Sequence, residues 1–260
     1  MSGWDDPQTP AYYEAFCRSH TRYRLANRTL ISHARLEPGM RVLDVAAGTG
    51  RTTEAALARL GDGGRVTCVE PSPAMRATGM RRVADPRVTW RATLPDGRRT
   101  FDRILCGAAI WQLVPLRQTL LRLSALLCHR GALCFNIPAL YLLEADEPGG
   151  GSDPLLASLP ALLWSSRTRD PDVRAQPTWD GASIEEWLRE AGLRARSWSF
   201  RVRLTQEAYA AWLKIPALTG RMLGRFAPKE RARRIDAALA SVDRASWKWE
   251  RWKGWTAWKP

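Results

Sequence analysis

The stretch from Arg41 to Thr52, R-V-L-D-V-A-A-G-T-G-R-T, constrains the fold more than any other part of the chain. Val42, Leu43 and Val45 make a short apolar run of β type, which suits a parallel strand buried on both faces. Ala46 to Gly50 follows with almost no side chain, so the backbone there can approach a ligand closely. Thr52 to Leu60 then has helical composition. Strand, small-residue turn and helix N-terminus, in that order, predict a nucleotide-type site at the carboxyl ends of a parallel sheet. Asp44 stands two residues before the small cluster, and no glycine follows Gly50 at the third place. The dinucleotide fingerprint G-x-G-x-x-G is therefore not met.

A second element lies at a telling distance. Arg65 to Met75, R-V-T-C-V-E-P-S-P-A-M, is another β-type run and ends in Glu70. An acid about 20 residues after a glycine-rich turn is suited to accept hydrogen bonds from both hydroxyls of a ribose. Phe101 to Gly107, F-D-R-I-L-C-G, and Gly131 to Pro138, G-A-L-C-F-N-I-P, add two further strands of the same kind. Together these segments resemble the class I S-adenosylmethionine (SAM)-dependent methyltransferases, with Asp44-Val-Ala-Ala-Gly-Thr-Gly50 in place of the first motif D-x-G-x-G-x-G and Ala46 replacing its first glycine. The resemblance covers about residues 38–138. It implies SAM as cofactor and S-adenosylhomocysteine (SAH) as product, with Asp44, Ala46, Gly48, Thr49 and Gly50 in the cofactor turn and Glu70 on the ribose. Pro71 and Met75 would flank the adenine, and Cys106 would face the cofactor from the end of the fourth strand. The family's acid after the third strand has no clear counterpart, because Ala92-Thr93-Leu94 stands there and Asp96 comes slightly later.

The implied fold is α/β, a seven-stranded, mostly parallel, doubly wound (Rossmann-like) sheet with an antiparallel last strand and helical and lid insertions. One domain over 1–260 is expected, since 260 residues suit a full sheet plus insertions better than two domains. Its parts would be a helical cap at 1–37, the cofactor-binding core at 38–138, a lid insertion at 139–180 and C-terminal strands with a helical insertion at 181–260. Asp5 to Asn27 predicts one helix from near Pro10, placing Tyr13, Phe16, His20, Arg24 and Asn27 on one face. The resemblance puts that helix over the methionine end of the cofactor and the acceptor, with Tyr13 against the cofactor and Phe16 against the substrate. Pro115 to Cys128 predicts a helix stopped by Gly131, with His129 as its C-terminal dipole partner. Ser183 and Glu186 suggest a capping box for a helix to Ala191, and the last strand is expected within Trp247 to Trp258.

Composition limits the partners. No apolar run approaches the ~18 residues a membrane span requires, and the N-terminal stretch lacks the pattern of a secretory signal. The five cysteines have no C-x-x-C or Cys/His spacing, so neither structural zinc nor a disulfide framework is expected, and a cytoplasmic location fits. The formal charge is +14, and 16 basic residues against 5 acidic ones fall between Arg194 and Pro260. Lysine accounts for only five of the basic residues, as GC-rich coding would also produce, so the basic quarter reads first as a solvated surface.

The substrate class follows less directly. An aromatic front helix, Ile110-Trp111-Gln112 after the fourth strand and a long lid would enclose a modest apolar or aromatic molecule. Phe16, Trp111, Tyr141 and Trp164 are the candidate walls of that pocket. His20 is the candidate base, because its ordinary pKa lies near neutrality, and Gln112 the candidate hydrogen-bonding group. Methyl transfer to a small molecule is thus the leading expectation. An RNA methyltransferase using the basic C-terminal quarter is the second, although the N-P-P-Y tetrapeptide is missing. A non-methylating cyclase or pericyclase on the same fold is the third.

Overall fold

The computed structural model describes residues 3–97, 100–142, 179–223, 226–240 and 242–260. Two helices, α1 (Thr9–Ser19) and α2 (Arg22–Ala34), precede the sheet. An alternating core follows: β1 (Arg41–Val45), α3 (Arg51–Leu60), β2 (Arg65–Val69), α4 (Pro73–Arg82), β3 (Val88–Arg91), β4 (Phe101–Cys106), α5 (Leu116–Leu126) and β5 (Leu127–Pro138). The C-terminal part contributes α6 (Gly181–Glu190), β6 (Arg194–Thr205), α7 (Gln206–Leu213), α8 (Pro216–Leu223), α9 (Pro228–Leu239) and β7 (Trp247–Trp258). The seven strands form one sheet in the order β3-β2-β1-β4-β5-β7-β6. All pairs from β3 to β5 are parallel, and β7 runs antiparallel to both its neighbours. This is the seven-stranded architecture expected, with the reversal at β1–β4 that creates a crevice at the strand ends.

Both faces of the sheet are covered. Leu43, Val45, Ile104, Leu133, Phe135 and Trp255 pack with α5 and α6, while Val42, Val66, Cys68, Leu105 and Cys134 pack with α2 and α3. A third cluster joins Phe16 and Tyr23 of the front helices to Tyr209, Trp212, Leu213 and Trp252 of the C-terminal part. Glycine permits one close contact between elements: a Cβ on Gly79 of α4 would stand 2.3 Å from the Trp90 ring on β3.

The β6–β7 pair extends past its neighbour. β5 ends at Pro138 opposite Trp252, yet pairing between β6 and β7 continues from Arg201↔Arg251 to Thr205↔Trp247. At ~3.4 Å per residue the two-stranded ribbon therefore projects roughly 17 Å beyond the carboxyl ends of the parallel strands.

Three local expectations are corrected. The front segment is two helices, because His20 adopts an extended conformation (φ −128°, ψ 146°) and its N–H closes α1 on Phe16. Tyr13 and Phe16 thus do not share one continuous face with Arg24 and Asn27. The chain after α5 enters β5 at Leu127, with Arg130 in the left-handed region (φ 60°), so His129 lies within a strand and is no helix cap. The N-cap of α6 is Asp180, whose carboxylate accepts from both the N–H and the hydroxyl of Ser183.

Candidate functional site

The turn after β1 is built from left-handed residues. Ala46, Gly48 and Gly50 have φ of 55°, 56° and 79°, and Gly50 opens α3 as its N-cap. A side chain at Gly50 would also meet Val83 at 2.9 Å. Glu70, buried at the end of β2, reaches back to this turn. Its Oε2 accepts from Gly48 N–H at 2.8 Å and its Oε1 from Ser72 N–H at 2.9 Å. Each oxygen keeps a further lone pair, so the carboxylate is oriented and can still accept from two neighbouring hydroxyls. Burial pushes its pKa up, against the opposing effect of these two N–H groups.

Asp44 lies beneath the turn. Its Oδ2 accepts from the Thr53 hydroxyl at 2.6 Å, whereas Oδ1 is buried without a partner. Burial first, and then the nearby Glu70 charge, push its pKa up to about 7 against the Thr53 hydrogen bond. A buried carboxylate oxygen lacking a donor is costly unless something supplies one. The two acids and the bare backbone thus fit a ligand with vicinal hydroxyls and a cationic or N–H group.

The front helix α1 closes this side of the site. Glu14 accepts from the Thr49 hydroxyl and from two nitrogens of Arg51, and Arg82 stands 3.8 Å from it. Burial acts to raise its pKa, but these donors outweigh it and hold the group below its ordinary value. Tyr13 lies beside it, its ring 5.4 Å from that of Tyr23 and 6.1 Å from that of Trp4. The first residues are pinned as well, since the Ser72 hydroxyl donates to the Trp4 carbonyl at 2.7 Å.

Past the end of β4, Ala108 takes a left-handed conformation (φ 58°) that turns the chain into a 3-10 segment, Ile110–Gln112. The fully buried Asn136 of β5 holds that turn. Its Oδ1 accepts from Ala108 N–H at 2.8 Å, and its Nδ2 donates to the Ala26 carbonyl of α2 at 2.9 Å. The Trp111 indole N–H donates to the Ala108 carbonyl at 3.2 Å, and its ring stacks on Tyr141 at 4.0 Å between centroids and 12° between planes. Two segments from neighbouring strand ends therefore present one aromatic stack. In the cluster that joins the front helices to the C-terminal part, Arg22 is buried, paired with Glu250 through two hydrogen bonds of 2.6 and 2.7 Å and set among the Tyr23, Trp212 and Trp252 rings.

The structure thus brings Asp44, Ala46, Gly48, Thr49, Gly50, Glu70 and Met75 to one turn, with the Met75 methyl 3.4 Å from where a Gly48 Cβ would stand. Pro71 is exposed beside them, and Cys106 is buried at the end of β4. Trp111, Gln112 and Tyr141 are half-buried in adjacent segments. Phe16 is a core residue, 2% exposed, and His20 packs its ring on Phe16 at the break between α1 and α2. Trp164 and the loop acids Glu144, Asp146, Glu147 and Asp153 lie outside the described residues. Sequence reasoning missed Glu14, Asn136 and the Arg22–Glu250 pair. An asparagine within an otherwise apolar strand was a signal for Asn136, whereas nothing local links positions 22 and 250. Among the described residues, no group of three or more His, Cys, Asp or Glu could hold a metal, and no helix is long and apolar enough to cross a membrane.

Residues 43–133 match the family described as "Methyltransferase domain". No curated protein sequence matches. Among solved structures, the YcgJ protein of Bacillus subtilis shares 15% identity over 91% of this chain and 98% of its own, with a TM-score of 0.62. Phosphoethanolamine N-methyltransferase 2 of Haemonchus contortus, solved with phosphomonomethylethanolamine and S-adenosylhomocysteine, shares 17% identity over 90% of this chain and 52% of its own (TM-score 0.54). The [4+2]-cyclase SpnF shares 16% identity over 92% of this chain and 80% of its own (TM-score 0.58). At these identities the structural likeness is one of fold.

Proposed function

We propose methyl transfer from SAM to a small-molecule acceptor, for a chain whose residues 43–133 match the methyltransferase-domain family and whose seven-stranded sheet has the antiparallel last strand of the class I SAM-dependent fold. The observation that carries this reading is the Glu70 carboxylate, fixed by Gly48 and Ser72 N–H groups beside a turn of small residues that leaves room for an adenosine. Glu70 would hold the ribose hydroxyls, Pro71 and Met75 would flank the adenine, and the unpartnered Asp44 oxygen would receive the amino-acid end of the cofactor. Tyr13 would close over that end, with Glu14 fastening α1 to Thr49 and Arg51.

The cofactor supplies an electrophilic methyl group. The protein's own contribution is alignment of the acceptor and exclusion of water. The Trp111–Tyr141 stack, held by Ala108 and Asn136, offers a flat apolar surface to a planar acceptor, with Gln112 as a hydrogen-bonding group beside it. His20 is the candidate to take the acceptor's proton when that acceptor is a hydroxyl or amine. A single aromatic stack with one amide beside it suits a small planar molecule better than a nucleic-acid strand.

Calorimetry with SAH tests the cofactor assignment. The wild-type protein should bind, and Glu70→Ala should weaken binding by ~1–3 kcal/mol, the value of hydrogen bonds to a buried charged group. Unchanged affinity would remove Glu70 from the ribose.

A further inference from the structure

The ribbon that projects past the strand ends has two chemically different faces. Trp252, Glu250, Val202 and Leu204 point towards the front helices and α7, where they are buried. The opposite face, reached by alternation, carries Arg201 and Arg203 of β6 across from Arg251 and Trp249 of β7, with Thr205 across from Trp247. Arg201 and Arg203 are exposed, and Trp249 is 36% exposed. The Arg203 guanidinium lies over the Trp247 ring at 4.7 Å, and Trp247 meets Trp249 edge-on at 5.7 Å.

The charge on this ribbon is one-sided. Glu250 is the sole acid in either strand; it points to the other face and is bonded to Arg22. The basic face also adjoins the acceptor side of the site. β5 runs directly from Pro138 into the turn Ala139–Tyr141, and the stacked Tyr141 and Trp111 pack with the cluster of Phe135 and Trp255, the face of β7 that Arg251, Trp249 and Trp247 share by alternation. Arg203 pairs with Trp249, three pairs beyond Pro138, or about 10 Å past the end of β5.

We propose that this face of the ribbon receives the charged end of the acceptor, and that the acceptor is a planar anion, an aromatic carboxylate or phosphate monoester. The inference rests on the methyl-transfer reading and deepens it. The rings stack at Trp111 and Tyr141, while the anionic group reaches Arg201 and Arg203. Guanidinium groups match carboxylate and phosphate oxygens in pairs, and stacking on Trp247 presets the orientation of Arg203.

The test uses matched probes on the SAH-saturated protein, followed by tryptophan fluorescence: 1-naphthoate and its neutral analogue 1-naphthamide. The carboxylate should bind at least about tenfold more tightly than the amide, as a charge-assisted hydrogen bond provides. In the Arg201→Gln/Arg203→Gln protein the difference should shrink to within about threefold. Removing the same charge from α9, by Arg233→Gln/Arg234→Gln, should leave it intact, which separates a local site from the overall positive charge. SAH affinity should be unchanged in both variants, whereas absent SAH binding would be a failure of the methyl-transfer reading itself. Equal or tighter binding of the amide, binding of neither probe, or an equal loss in the α9 variant overturns the proposal. So does an oligouridylate 12-mer that binds more tightly than naphthoate at ~200 mM salt and loses that binding with Arg201 and Arg203, since the surface would then fit a strand.

Discussion

Asp44→Asn should make the ligand-free protein more stable at pH 8, because the wild-type protein holds an ionised carboxylate there with one oxygen unpartnered. The native pKa of Asp44 is raised from 3.8 to about 7. Between those values the folded protein keeps a proton that the unfolded chain has released. Its contribution to stability therefore falls as pH rises through the window and is fully unfavourable above about 7. Three pH units correspond to an upper limit of ~4 kcal/mol. An amide in the same place leaves an N–H to satisfy, at ~1–3 kcal/mol, so the net gain at pH 8 is ~1–3 kcal/mol. For a chain of this size that is a rise in Tm of roughly 2–10 °C. At pH 5, where Asp44 is protonated, no such gain is expected. Cofactor binding should show the opposite trend: SAH affinity of the wild type falls by up to about tenfold per pH unit below pH 7, and the variant binds weakly at every pH. Thermal melts and calorimetry from pH 5 to 8.5 measure both effects. A Tm difference between variant and wild type that does not change with pH would refute the reasoning about the buried oxygen.

Arg22→Met leaves the buried Glu250 carboxylate with the Trp252 indole N–H but no counter-charge, and should cost ~3–5 kcal/mol in chemical denaturation; a cost under ~1 kcal/mol would mean that Glu250 reaches water. Asn136→Ala removes the bridge between Ala108 and the Ala26 carbonyl. It should lower turnover through misplacement of Trp111 while SAH affinity holds, so a loss confined to SAH binding would place Asn136 in the cofactor site instead.

The core of the fold was legible because its signals are local. Val42 to Gly50 and Val66 to Glu70 each carry strand, turn and acid within a few residues, and the structure joins them through the Gly48–Glu70 hydrogen bond. The bounds of β7 were readable for the same reason. Where the sequence misled, a tertiary contact overrode a local preference. Tyr13 to Asn27 has unbroken helical spacing, yet the chain extends at His20 before Arg22 packs against Glu250. His129 and Gly131 look like a helix stop, but the register shift between β4 and β5 draws Leu127 and its successors into the sheet. Asn136 is the one polar residue of the apolar run from Gly131 to Pro138, but its partner Ala108 lies 28 residues away and the Thr49 partner of Glu14 lies 35 away, so neither contact was readable locally.

The central claim is tested most directly by following the methyl group. With SAM carrying an isotopic label on its methyl, and a metabolite and RNA extract of the source cell as acceptor pool, label should appear in a low-molecular-weight product together with an equal amount of SAH. His20→Ala should lower that transfer by ~10²-fold if the imidazole takes the acceptor's proton. Label found in nuclease-sensitive RNA, or SAM bound tightly with no transfer from any pool, would contradict the account.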